Sequence, residues 1–414
     1  MRILLISYFF PPDKTPGGHR ALSFVKYFPK NGIDVVLLTS KKEIEENKDL
    51  QKKYELTKFY IKEKPKLREW GYKTKILSAL TILKLDHLLF FPDIHFPWIR
   101  KALRAGKKAI KETNPSKILV TAPPFSAFIV GFKLSKKFKI PLIIDYRDPW
   151  NGSPYIKYPL KIIERRYRKK EQDIVKQAEM IVTVGEEYAK LISNNINKNI
   201  NEITIIYNGF FKDSLPKKTV SKESQKFTIS YVGCLYELRR NTFINFLKGF
   251  ELFIKKNNLN STMVEINYAG VLTRKFLEKI LEKTHVNEFL VDLGFINDIN
   301  EYYTLLRKSH VLPIMIPSKG EYAIPSKLYE YFNANSHILF IGKEGAPVQL
   351  SKKIKQEYDI VNEQPEAISK ILEELYNKWK NNNLEYGCDQ ELLLEYSREN
   401  QAIKLANILQ KFEK

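Results

Sequence analysis

Phe227-Thr228-Ile229-Ser230-Tyr231-Val232-Gly233-Cys234-Leu235-Tyr236 is the stretch that settles the architecture. Its first six residues are mostly β-branched, aromatic or small, carry no charge, and stop at a glycine. That is the pattern of a buried strand running into a turn. The preceding segment, Lys212–Lys226, contains Lys217-Lys218, Ser221 and Ser224 and little that could be buried, so it reads as a linker. Phe227 therefore opens a second domain. After it, short apolar runs recur at Val264–Tyr268, Phe289–Leu293, His310–Met315, His337–Ile341 and, more weakly, Asp359–Val361, with helical stretches between them.

The same rhythm occupies the first half. Strands are predicted at Ile3–Tyr8, Asp34–Thr39, Ile118–Thr121, Leu142–Asp145, Met180–Val184 and Ile203–Tyr207. Amphipathic segments at Ala21–Lys30, Trp98–Glu112, Ser126–Lys137 and Glu186–Asn194 separate them. Strand–helix alternation argues for parallel strands with crossover helices, hence an α/β chain of two Rossmann-like, doubly wound domains facing a cleft. The expected division is 1–211, a linker at 212–226, a second domain at 227–394, and 395–414 as a closing helix over Glu395–Phe412. Lys41–Pro97 breaks the rhythm. From Gln51 to Lys75 it has nine Lys or Arg against three Glu, which reads either as a solvated excursion between the second and third strands or as a basic surface.

A length of 414 residues suits two domains. A 43% hydrophobic and 13% aromatic content fills two cores and excludes global disorder. Cys234 and Cys388 stand far apart without metal-ligand spacing, which argues against a disulfide framework or zinc site and for a reducing compartment. No secretory signal is read ahead of Arg2–Ser7, and the apolar stretch Ile76–Trp98 is interrupted by Lys84, Asp86, His87, Asp93 and His95. A soluble or peripheral cytoplasmic protein is expected. The net charge of +22 attracts polyanions: nucleic acid, an anionic membrane surface, or phosphorylated small molecules.

Two stretches carry candidate chemistry. Gly17-Gly18, at the start of the first helix, would let backbone amides approach an anion, although the GxGxxG fingerprint is absent. A plain turn explains the pair equally well. In Gly320-Glu321-Tyr322-Ala323-Ile324-Pro325-Ser326-Lys327-Leu328-Tyr329-Glu330-Tyr331, Pro325 begins a helix beyond the strand His310–Met315. Ligands of such sheets bind past the carboxyl ends of strands, so Ser326 and Lys327 are candidates for phosphate and Glu330 for ribose hydroxyls. A surface helix with a local Lys–Glu pair is the alternative.

Pro325-Ser326-Lys327-Leu328-Tyr329-Glu330-Tyr331-Phe332, followed by Asn333-Ala334-Asn335-Ser336-His337, resembles the nucleotide-sugar signature of retaining family 4 glycosyltransferases of the GT-B fold, in the bacterial cell-surface polysaccharide branch. Other pieces match in order: Tyr8–Pro12 with Gly17-Gly18, Pro92-Asp93 with Trp98, Ala122–Ser126, Asp145–Trp150, Ala178–Thr183, Tyr207-Asn208-Gly209, Tyr231–Tyr236 with Arg239-Arg240, and Tyr396–Glu399. The resemblance spans nearly the whole chain. It departs at Asn335 and His337, which replace Gly and Pro; at Cys234, where many members carry a phosphate-binding arginine; and in the eight residues, one more than usual, between Glu321 and Glu330.

The resemblance implies transfer of a hexosyl or N-acetylhexosaminyl group, with retention, from a nucleotide-diphosphate sugar to a lipid-linked or glycan acceptor. Arg239, Arg240 and Lys327 would hold the diphosphate opposite Gly17 and Gly18, Glu330 the ribose, and Gly294 and Phe295 the base. Asp148 and Arg147, at the carboxyl end of the strand Leu142–Asp145, read either as positioning acceptor or sugar or as an internal ion pair that shapes the loop; Glu321 would be the first acid of the signature. No Asp-x-Asp motif occurs, so neither an obligatory metal nor another cofactor is expected. With no nucleic-acid module in sight, the charge points to an anionic membrane surface rather than to nucleic acid. A sugar-nucleotide epimerase of the same fold is the alternative.

Overall fold

The computed structural model describes residues 1–11, 17–41, 57–62, 90–153, 156, 158–216, 225–235, 237–270 and 274–411. They form two compact units: Met1–Asn208 with Arg398–Lys414, and Gly209–Ser397.

The first unit is built on seven strands: β1 Arg2–Ser7, β2 Asp34–Lys41, β3 Thr57–Lys62, β4 Lys117–Ala122, β5 Leu142–Tyr146, β6 Ala178–Thr183 and β7 Ile203–Ile205. They lie in the order β3-β2-β1-β4-β5-β6-β7, and every neighbouring pair is parallel. The side chains of β4 are buried along its whole length, which is why its sequence, KILVTA, is apolar rather than alternating. Its one charge, Lys117, pairs with Glu179 at 3.0 Å.

The second unit has six strands: β8 Phe227–Val232, β9 Val264–Ala269, β10 Leu290–Gly294, β11 Val311–Met315, β12 His337–Ile341 and β13 Tyr358–Val361. Their order is β10-β9-β8-β11-β12-β13, again all parallel. In each sheet the order of winding reverses once, between β1 and β4 and between β8 and β11. Such a reversal leaves a crevice beyond the strand ends, where doubly wound sheets bind ligands.

Each predicted strand appears within a residue or two of its expected place. One element departs from expectation: β3 lies inside Lys41–Pro97, pairing with β2 from Val36↔Thr57 to Lys41↔Lys62. A parallel edge strand in a lysine-rich surround lacks the unbroken apolar run of a central one. The remainder of that stretch up to residue 89, including its apolar part, lies outside the described residues, as do 217–224 of the linker.

Helix ends follow local chemistry. Phe96–Thr113 starts on Pro97 and ends at Asn114, whose φ of 45° lets its amide reach Ile110 O. Asn335 also adopts a left-handed φ, 54°, so the turn survives without the glycine usual there. The last helix, Arg398–Lys411, packs in the first unit against Gly17–Tyr27, and Gln401 accepts the Tyr207 amide at 2.7 Å. Among the described residues no helix is long and apolar enough to cross a membrane.

Candidate functional site

Lys327 anchors the site in the second unit. It opens the helix Lys327–Phe332, which follows β11, and its amine donates to the carbonyl of Val232, the last residue of β8, at 3.1 Å. Its chain thus lies across the β8/β11 reversal. The amine is 3.6 Å from the centre of the Tyr231 ring and 5.5 Å from that of Tyr331, within cation–π range. Tyr331, one helical turn on, completes the clamp: its hydroxyl accepts the Val232 amide at 3.0 Å. Part of the Lys327 side chain reaches solvent, but the amine is packed in. Burial, followed by the Arg239 guanidinium, pushes it well below the usual lysine range, while Glu330 pulls it back up. An anion placed there would relieve both effects.

Gly233 follows β8 at φ 120°, a conformation that disfavours a side chain, and a Cβ there would meet Lys327 Cδ at 3.7 Å. Its carbonyl accepts the Tyr268 hydroxyl at 3.0 Å. Glu330 accepts a hydrogen bond from the Tyr302 hydroxyl through Oε2, which orients its carboxylate. Ser326 is exposed, and its hydroxyl makes no helix cap. Glu321 sits in the loop before Pro325, tied by its backbone oxygen to the Ala346 amide at 2.7 Å.

The structure separates the two arginines. Arg239 lies close enough to perturb both Lys327 and Tyr331. Arg240 packs its guanidinium 4.8 Å from the Phe276 ring centre and donates from Nε to Leu235 O at 3.3 Å. Gly294 and Phe295 stand at the end of edge strand β10, Gly294 at φ 64° and Phe295 56% exposed, an accessible flat ring.

In the first unit, Arg147, just past β5, reaches across the β1/β4 reversal. It donates to Gly17 O at 2.6 Å and to Pro123 O. A Cβ on Gly17 would lie 2.6 Å from Arg147 Nη1, so that glycine makes room for the guanidinium. A Cβ on Gly18 would meet the backbone of Phe10 at 3.3 Å. Burial brings Arg147 down to about 10, against the pull of Asp148 and Asp145. Asp148 is exposed, yet the atoms crowded around its carboxyl raise it above the usual range, opposed by Arg147 and by the Tyr188 hydroxyl at 3.5 Å.

Several residues here escape sequence reading. Arg20 forms a buried two-point ion pair with Asp145, both contacts 2.7 Å, and donates to Tyr207 O at 3.1 Å. His19 is brought down to about 4 by burial and Arg398, so it stays neutral at physiological pH. Glu171 accepts from Tyr146 at 3.0 Å, Asn151 at 2.7 Å and Asn195 at 2.5 Å, fastening the segment after Asp148 to the Lys161–Gln177 helix. The partners of these residues lie far away in sequence, beyond the reach of any local pattern. Among the described residues, no three His, Cys, Asp or Glu side chains gather as metal ligands.

Residues 17–211 match the Glycosyltransferase Family 4 profile. The match covers most of the first unit. Comparison with curated protein sequences finds no match. Among solved structures, the chain resembles Anabaena HepE in complex with UDP (TM-score 0.65, 12% identity, 99% of this chain and 100% of that one). It also resembles a glycosyltransferase from Rickettsia africae (0.64, 13%, 100% and 98%). A candidate UDP-N-acetylglucosamine 2-epimerase from Listeria monocytogenes is similar as well (0.58, 12%, 100% and 97%). At these identities the likeness is one of fold: the two doubly wound units are those of the GT-B fold.

Glu171 yields a pH test. Burial raises its carboxyl from 4.5 to about 7, against its three hydrogen-bond donors and Arg168. Because the folded-state value exceeds the unfolded one, its contribution to stability is complete below pH 4.5 and is lost as pH rises to about 7. The loss is about 3 kcal/mol. Glu171→Gln should therefore flatten this limb of the stability curve, leaving the variant more stable than wild type, relative to their acid values, above pH 7 in urea titrations. Parallel curves would show that Glu171 is ionised throughout.

Proposed function

We propose that the protein transfers a hexosyl or N-acetylhexosaminyl group from a nucleotide-diphosphate sugar, with retention at the anomeric carbon. The observation that carries this reading is Lys327, a poorly solvated cation at the β8/β11 reversal beside Gly233 and Arg239. A diphosphate supplies the charge that such a group lacks. In the reaction the bond from the anomeric carbon to the diphosphate breaks, the acceptor oxygen bonds to that carbon on the same face, and the acceptor proton passes to the departing phosphate. Lys327 and Arg239 stabilise the charge that builds on that phosphate. Arg240 adds only long-range field, its guanidinium being held at Phe276. Glu330, oriented by Tyr302, accepts the ribose hydroxyls; Gly294 and Phe295 flank the base; Ser326 adds a hydroxyl donor. Arg147 and Asp148 position the acceptor in this reading, which assigns Glu321 to the transferred sugar and needs no metal.

The likeness to a candidate epimerase favours one alternative, conversion of a sugar nucleotide without an acceptor. UDP is the nucleotide to try first, because HepE was solved with it. Lys327→Ala and Glu330→Gln should each weaken UDP binding by about 1.5–3 kcal/mol, the worth of a charge-assisted hydrogen bond, and reduce transfer from a UDP-sugar panel read by mass spectrometry. Wild-type UDP affinity in both variants moves the donor elsewhere; turnover without an acceptor favours the epimerase.

The acceptor in this proposal is lipid-linked or a growing surface glycan, met at the cytoplasmic face of an anionic membrane. Three helices that pack side by side in the first unit, Phe96–Thr113, Ser126–Phe138 and Lys161–Gln177, support it with sixteen Lys or Arg against four Asp or Glu. Phe96, Leu160 and Ile162 are exposed among them at 37%, 55% and 70%, and the two aliphatic side chains offer points for shallow insertion rather than base stacking. Near such a membrane each cation contributes about 1 kcal/mol. The protein should sediment with anionic but not neutral liposomes, and Arg104→Glu with Lys107→Glu should weaken this without changing UDP affinity. Equal sedimentation with both liposomes, or tighter binding to RNA, contradicts it.

A further inference from the structure

A cavity of about 320 Å³ lies in the first unit, at the carboxyl ends of β1, β4 and β5. Phe9 closes it past β1, Pro123 to Phe125 past β4, and Trp150 past β5. The Phe125 and Trp150 rings stack at 5.0 Å with 4° between their planes, and Tyr158 and Tyr167 lie 4.9 Å apart on another wall. Its size is that of a small-ligand pocket.

Aromatic walls serve sugars as well as hydrocarbons, and the polar atoms decide between the two. Among the described residues most of these are already engaged within the protein. Both oxygens of Asp93 are taken: Oδ1 accepts the Ser126 hydroxyl at 2.6 Å and the His95 amide at 2.9 Å, and Oδ2 accepts the Ser126 amide at 2.8 Å. The Tyr158 hydroxyl donates to Asn151, itself held by Glu171, and the Tyr167 hydroxyl donates to Phe90 O at 3.3 Å. Pro123 O accepts from Arg147, Pro124 O from the Ala127 amide at 3.1 Å, and Phe9 O from the Ser7 hydroxyl at 2.7 Å. The Trp150 indole nitrogen has no hydrogen-bond partner but is sealed from solvent, and the His95 ring packs against those of Tyr8 and Phe9 at 4.2 and 5.9 Å. Prolines 92, 123 and 124 bring no amide hydrogen. A pyranose ring here would exchange water for walls with few partners to offer its hydroxyls. A hydrocarbon group loses nothing by entering.

We propose that this cavity binds a hydrocarbon group, the apolar portion of the acceptor, whose sugar-receiving hydroxyl lies outside it. The word acceptor rests on the transferase reading above; the binding of hydrocarbon does not, and it is tested without donor or turnover. Two sources share this chemistry: the isoprenoid chain of a lipid-linked acceptor and the aromatic aglycone of a small soluble one.

Ligand-observed NMR titrations with butanol, hexanol and octanol measure the site directly. Each methylene added inside the cavity should tighten binding about fourfold until it is full. Geraniol and phenylethanol compete with octanol to tell a branched chain from a flat ring. Ile94, on the cavity wall, takes the variants: Ile94→Trp fills the space and Ile94→Asp puts a charge in it. Both should reduce octanol affinity about tenfold or more, the equivalent of two methylenes, with UDP affinity and melting temperature close to wild type. If Ile94→Trp alone misfolds, Ile94→Asp and the chain-length series still decide. An affinity that does not rise with chain length, or a free monosaccharide that displaces octanol, overturns the proposal. Hydrocarbon binding without any transferase activity would uphold the cavity and remove the acceptor.

Discussion

A lysine amine that water cannot fully solvate must be held by something else. Lys327 is held by the Val232 carbonyl and by the faces of Tyr231 and Tyr331, none of which carries a full negative charge. Much of the second unit serves this arrangement. β8 and β11 lie side by side where the winding reverses; Gly233 follows β8 with a φ of 120° that disfavours a side chain; Tyr331 grips both polar groups of Val232. Arg239 adds a second positive charge nearby rather than a compensating one. In the proposed function this arrangement receives the diphosphate with little reorganisation.

The first unit solves the opposite problem at its own reversal. There the cations are paired or capped: Arg20 lies on Asp145, and Arg147 is turned onto the carbonyls of Gly17 and Pro123. Charge is used to fasten loops at the β1/β4 gap, and beside them stands an apolar cavity. Two sheets wound alike thus present different chemistry at equivalent ends, as expected when function resides in the loops rather than in the fold.

The strands were legible because buried parallel strands demand uncharged, largely apolar runs, as in β8, β11 and β12. β3 was not, being an edge strand in a lysine-rich stretch. Of the site, Lys327 and Glu330 could be found because a proline-led helix after a strand is a local signal, and a family resemblance singled it out. Arg239 and Arg240 were indistinguishable as neighbours in sequence; only packing against Phe276 separates them. The contact of Gly17 with Arg147, 130 residues away, leaves no local signal. The Glu171 network and the Arg20–Asp145 pair depend wholly on tertiary proximity.

The central claim is that Lys327 is poorly solvated when the site is empty and is paired when a diphosphate binds. Calorimetric titration of UDP at mildly alkaline pH, in buffers of different ionisation enthalpy, measures the protons exchanged on binding. The account predicts net proton uptake that disappears in Lys327→Met. No uptake in the wild type, or the same uptake in the variant, would contradict it.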